Sequence, residues 1–188
     1  MDSYKLAIKW FARDSSAVAP EALVPVFHSW IQNRSLPNHQ AIDVANYAHV
    51  VHGPGVVLVA HEGNFAYDLA EGRPGLLYTR QRPLSGTFEQ RLSAVCAASL
   101  AAGAMLEQTP GIAFHTDRVL FRINDRLLAP NTVETFKSVE PELNTFFSTL
   151  LGAAVRLEHL AAVGRPFEVA IQGSATSASL GSLRSRIK

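Results

Sequence analysis

The chain is short of several things, and each shortage removes a class of function. Cysteine occurs once, at Cys96, so neither an intramolecular disulfide nor a thiolate-rich metal site can form. No apolar run is long enough for a bilayer. The longest uncharged helical stretch, Leu92 to Leu106, is roughly 15 residues against the ~20 that a span needs. The opening "MDSYKLAIKW" has no basic region leading into a long apolar segment, so it is not expected to act as a signal peptide. An excess of one charge is also missing. With 17 Lys and Arg against 16 Asp and Glu the net charge is +1, which gives no electrostatic footprint for nucleic acid or an anionic membrane. These shortages together predict a soluble, cytoplasmic protein. No GxGxxG follows a strand, and GxxxxGK[ST] and GxSxG are absent. Dinucleotide, P-loop and serine-hydrolase chemistry therefore have no support, and no cofactor is implied.

What is present is a globular composition, 47% hydrophobic and 18% charged over 188 residues. A chain of that size buries about 70% of its unfolded surface and needs no staple to hold a core. It is expected to divide into one domain, residues 1–172, and a flexible Ser/Ala-rich basic tail, residues 173–188.

The periodicities predict three helices and a mostly antiparallel sheet. "YKLAIKWFA" alternates Leu6, Ile8 and Trp10 against Lys5, Ala7 and Lys9, as a strand does. "PEALVPVFHSWIQ" gathers Leu23, Val26, Phe27, Trp30 and Ile31 on one helical face, with Pro25 forcing a kink or a start near Val24. "AIDVAN", the wholly apolar Val56 to Ala60, "NFAYDLA" and "LLYTRQR" form a meander. A second helix starts at a Thr87–Gln90 capping box and runs to about Gln108. Its small residues recur every fourth position (Ala94, Ala98, Ala102; Ser99, Gly103). That pattern suits close packing on the sheet or, through helix 87–108, a homo-oligomer. "GIAFHTDRVLFRIN" reads as a hairpin turning at Asp117-Arg118, with Phe114 opposite Phe121 and Ile112 opposite Ile123. Asn131 is expected to cap the third helix, Pro141 to kink it and Gly152 to end it. "AVRLEHL" and "FEVAIQ" are the last strands. The order β-α-β-β-β-β-α-β-β-α-β-β is α+β, and "LLYTRQR" to "AVRLEHL" has the split β-α-β-β-α-β pattern of a ferredoxin-like unit.

Three groups of side chains could carry chemistry. His61 and Glu62 leave the buried strand together, Asn64 follows the Gly63 turn, and Asp68 lies on the next strand. An imidazole beside a carboxylate is the usual acid/base pair, so His61, Glu62 and Asp68 are candidate catalytic residues, with Asn64 a ligand contact. Turn residues satisfying their own backbone would look the same. His49 and His52, with His61, could offer three nitrogens to a metal, although H-E-x-x-H spacing is absent. Arg122 and Arg126 share strand parity, and Arg80 is similarly placed on its own strand. Such guanidiniums can clamp an anion or guard a sheet edge. His28 reads as a helix-flank residue, and His115 with Asp117 as solvent-facing. Cys96, among alanines, reads as a small core residue.

The tail holds "SLGSLR". Leu180, Gly181, Ser182, Leu183 and Arg184 resemble the core of encapsulin cargo-loading peptides, with Ala178 standing where that pattern has a further apolar residue. The resemblance implies cargo addressed to an encapsulin shell, whose wall pockets would take the two leucines. The expectations for the body are small-ligand binding or self-association, and, as an alternative, a metal-assisted or acid/base hydrolase at the His61–Asp68 rim.

Overall fold

In a computed structural model, which describes residues 3–13, 18–174 and 178–187, eight strands form one antiparallel sheet in the order β2-β3-β4-β5-β1-β6-β8-β7. The strands are β1 (Leu6–Ala12), β2 (Ala41–Tyr47), β3 (Gly55–Ala60), β4 (Gly63–Asp68), β5 (Gly75–Arg80), β6 (Phe114–Ile123), β7 (Arg156–His159) and β8 (Phe167–Gln172). Four helices accompany them: α1 (Leu23–Gln32), α2 (Phe88–Leu106), α3 (Val133–Leu151) and α4 (Leu180–Arg184). The antiparallel α+β architecture is the expected one.

Strand parity decides which side is core. Leu6, Ile8 and Trp10 of β1 point to the same face as Tyr78 and Leu76 of β5 and Phe121 and Val119 of β6, their paired neighbours. Val56, Leu58, Phe65, Tyr67, Phe167, Val169 and Ile171 continue that layer and join the buried residues of the helices in one core. Two of the helices are amphipathic enough to supply such stripes: Leu23, Phe27 and Trp30 on α1, and Val139, Leu143, Phe147 and Leu150 on α3. α2 is apolar around most of its girth. It sits over β1 and β5, where Trp10 Nε1 donates to Ser99 Oγ at 3.0 Å. Its Thr87–Gln90 capping box forms as read.

The second face of the sheet carries Ala7, Lys9, Phe11, Arg122 and Asp68, and none of these belongs to the common core. Its charges are compensated locally. Lys9 Nζ donates to Asp68 Oδ2 at 2.6 Å, with both side chains nearly fully buried. Arg122 Nε donates to Glu168 Oε1 at 2.6 Å, and Arg165 joins Glu168 to Glu71. Burial pulls the Lys9 ammonium below its ordinary pKa, opposed by Asp68 and reinforced by Arg122 and Arg73.

The structure departs from expectation in four places. The segment read as a hairpin is a single strand, β6, which pairs with β1 on one side and β8 on the other. Its register against β1 jumps from Trp10↔Val119 to Ala12↔Phe114, so the polar residues read as a turn are an irregular bend within one strand. The stretch from β5 to β7 is therefore β-α-β-α-β and contains no ferredoxin-like unit. The cap of α3 is Thr132, whose side chain accepts from Thr135 N, and Asn131 instead donates to the Leu160 carbonyl.

The tail departs as well, since residues 178–187 are packed on the domain. Ser179 caps α4 through a reciprocal box with Ser182, and Leu180 and Leu183, three apart on one face, are 0% and 2% exposed against the core. A Cβ on Gly103 of α2 would lie 2.4 Å from Leu180 Cδ1, so the missing side chain at 103 is the notch that receives Leu180. Glu107 Oε2 accepts from Leu180 N at 3.0 Å, and Arg186 donates to the Leu150 carbonyl at the end of α3. Part of the small-residue pattern on α2 is thus used internally. The two leucines of the cargo-like string are packed inside the domain and are not presented to solvent.

Candidate functional site

A hollow on which several polar groups converge lies between the ends of β4 and β5, the α1–β2 loop and the flank of α2. Its volume is about 410 Å³, within the ordinary range for small-molecule sites. One wall is apolar: Leu84 with Ala94, Ala97, Ala98 and Ala101 of α2. The other is polar: His39, Glu62, Tyr78 and Arg80, with Arg184 of α4 at the rim.

Each polar group is held by a local cause. His39 enters from the loop after α1. Its Nδ1 lies 2.8 Å from the Pro37 carbonyl, which can only accept, so Nδ1 carries the hydrogen. In the neutral ring Nε2 is then an acceptor, and the Tyr78 hydroxyl, 2.7 Å away, donates to it. Phe65 and Tyr78 pack edge-on to the imidazole, at centroid distances of 5.0 and 5.3 Å. Burial lowers the His39 pKa below its ordinary 6.5, partly offset by the Pro37 hydrogen bond and the Glu62 charge. The ring is therefore neutral at pH 7. Burial also raises the Tyr78 pKa, against a hydrogen bond and positive charge from Arg80. For Glu62, desolvation opposes ionisation. The N–H of Gln40, which donates to it at 2.7 Å, its own N–H and the nearby His39 and His61 outweigh that, so its pKa falls. Arg80 is oriented by donating from Nε to the Arg82 carbonyl at 2.8 Å.

The sequence candidates divide accordingly. Glu62 and Arg80 come together in the hollow. His61, beside Glu62, is exposed in the β3–β4 turn. Asp68 lies at the far end of β4, about 20 Å of strand length away, and is consumed by Lys9. Asn64 points to the second face and accepts weakly from Ala60 N at 3.4 Å. The rim joining His61 to Asp68 is thus not formed, because a strand carries its two ends apart. His49 and His52 sit in the β2–β3 turn, at the opposite end of β3 from His61, and among the described residues no group of three potential ligands surrounds a metal position. Arg122 is tied to Glu168 on the second face, whereas Arg80 is on the helix-bearing face, and Arg126 is exposed in the β6–α3 connection. His115, half-buried, lies 3.3 Å from the buried Asp117 within β6, so neither faces solvent freely. Cys96 is fully buried, and burial pushes its thiol pKa far up.

Sequence reasoning missed His39 and Tyr78. Tyr78 reads as a core residue of an alternating strand. A buried tyrosine needs a partner for its hydroxyl, but nothing local names a histidine 39 positions earlier. Compared with family models, curated proteins and solved structures, the chain has no significant match.

Proposed function

We propose that the protein binds a small carboxylate with an apolar body in the hollow between β5 and α2. Two guanidiniums, Arg80 and Arg184, face one carboxylate, Glu62, while His39 is neutral, so the polar end favours an anion. The alanine wall offers apolar surface without filling the space. The observation that carries the reading is the His39–Tyr78–Arg80–Glu62 cluster facing that wall across one cavity. Titration with straight-chain carboxylates of increasing length should give thermal stabilisation that rises with chain length until the cavity is full. Ala98→Phe, which occupies the hollow, should abolish the shift. Absence of any shift across the series would end the proposal.

A second reading, acid/base catalysis, rests on the His39–Tyr78 hydrogen bond. In it Tyr78 takes a proton from the ligand at its oxygen as its own proton passes to His39 Nε2. Tyr78→Phe removes the relay but keeps the ring. Any turnover found in a substrate screen should then be lost, while carboxylate binding persists at a reduced affinity.

A further inference from the structure

On the second face of the sheet most charges are spoken for: Lys9 by Asp68, Arg122 by Glu168, Arg165 by Glu71 and Glu168. One end of that face departs from the pattern. Arg118 of β6 and Arg156 of β7 both pair in register with Gln172 of β8. They therefore flank it on the same face, with Cα atoms about 10 Å apart across the intervening strand. Arg73, from the β4–β5 connection, lies over the Phe11 ring at 4.1 Å and overhangs the same place. Two adjoining hollows, of about 190 and 130 Å³, share Phe11, Arg73 and Arg118 as their common wall.

Among the described residues the local charge is not balanced. Among the described residues Arg73 and Arg156 form no ion pair. Arg118 has only Asp117, at 3.9 Å, on a side chain that is 55% exposed. Asp117 is shared with His115 at 3.3 Å, and among the described residues Glu158 is the one acid lining either hollow. Besides Arg13, which lines the first hollow and donates to the Phe114 carbonyl, three guanidiniums from three separate elements meet here in a protein whose net charge is only +1. Like charges so placed repel, and an anion removes that cost. A planar fork with paired N–H donors matches phosphoryl oxygens in two-point contacts. Two hollows joined at a shared pair of arginines fit two linked anionic groups better than one.

We infer that this end of the open sheet face is a binding site for a small molecule carrying a diphosphate, one phosphoryl group in each hollow, with Arg118 bridging both. The site is separate from the His39–Tyr78 cavity, which opens on the helix-bearing face. The test is calorimetric titration of pyrophosphate into the whole protein, repeated with Arg118→Gln, Arg156→Gln and, as a remote exposed control, Arg126→Gln. The expected result is saturable binding that weakens about tenfold or more in each of the first two variants, the loss of one charge-assisted contact, and is unchanged in the control. All three positions are solvent-exposed, and equal melting temperatures of the free variants verify that folding is intact. The inference is overturned if pyrophosphate shows no saturable binding, or if both variants bind like wild type. It is also overturned if sulfate competes at equal concentration, which marks a general anion patch, or if single-stranded oligonucleotide binds more tightly than pyrophosphate.

Discussion

Replacing Leu180 with alanine separates a C-terminal segment that belongs to the core from one that merely follows it. The side chain is 0% exposed and occupies the space left by Gly103. Truncation removes three buried carbons, worth about 2.4 kcal/mol in lost transfer energy at ~0.8 kcal/mol each. The vacated notch adds a cavity cost, bringing such changes to about 2.7–5 kcal/mol in rigid surroundings. α4 is a single short helix, held by Glu107 at its start and Arg186 beyond its end, so it can settle partly into the gap. The expected loss is therefore roughly 2–4 kcal/mol, toward the lower part of that range. In a domain of this size each kcal/mol moves the melting temperature by about 2–4 °C. Urea unfolding should show a lower midpoint at an unchanged slope, and Leu127→Ala, at a position 89% exposed, should stay near wild type. A Leu180→Ala loss below about 0.5 kcal/mol, the level of an ordinary surface change, would refute the packing argument and restore a free tail.

Two further predictions follow from buried charge. Lys9→Met leaves the Asp68 carboxylate buried without its partner and should cost about 3–5 kcal/mol. Lys9→Met with Asp68→Leu should recover most of that, and urea unfolding of the three proteins would expose a single-variant cost under 1 kcal/mol as contrary. His39 gives a pH dependence of definite sign. Its folded pKa lies below its ordinary 6.5, so the unfolded chain gains a proton that the native state refuses. This contribution is complete above about pH 6.5 and is lost as the pH falls below it, before Glu62 begins to titrate. The slope of melting temperature between about pH 6.5 and 5 should be shallower in His39→Gln, and identical slopes would contradict the assignment.

Much of the fold was legible because it rests on local signals. The alternation in β1, the continuous apolar run of β3 and the capping box of α2 each state their structure within a few residues. The false hairpin shows where such reasoning slips. A strand of period two opposes apolar to apolar when folded back on itself about a polar pair, so the Phe114–Phe121 check could not distinguish a hairpin from one long strand. In the tail, an average over Ser, Ala and Gly hid two leucines on one helical face, whose receptor, Gly103, is distant in sequence. Glu62 and Arg80 were visible as polar residues at strand ends. Their grouping with His39 and Tyr78 is a property of register and of a loop, and neither is encoded by spacing.

The place of β1 has a consequence for how the chain comes to be assembled. β1 is an interior strand, with β5 on one side and β6 on the other, and both its partners are synthesised after it. Until residue 123 exists, Leu6, Ile8 and Trp10 have no complete sheet to enter, and contacts over such sequence distances slow folding. Lys9, in the middle of that waiting segment, penalises every alternative partner that does not bring a carboxylate to it, and the native alignment does so with Asp68. The same ammonium that is costly to bury is what keeps an early, sticky strand from settling in the wrong place.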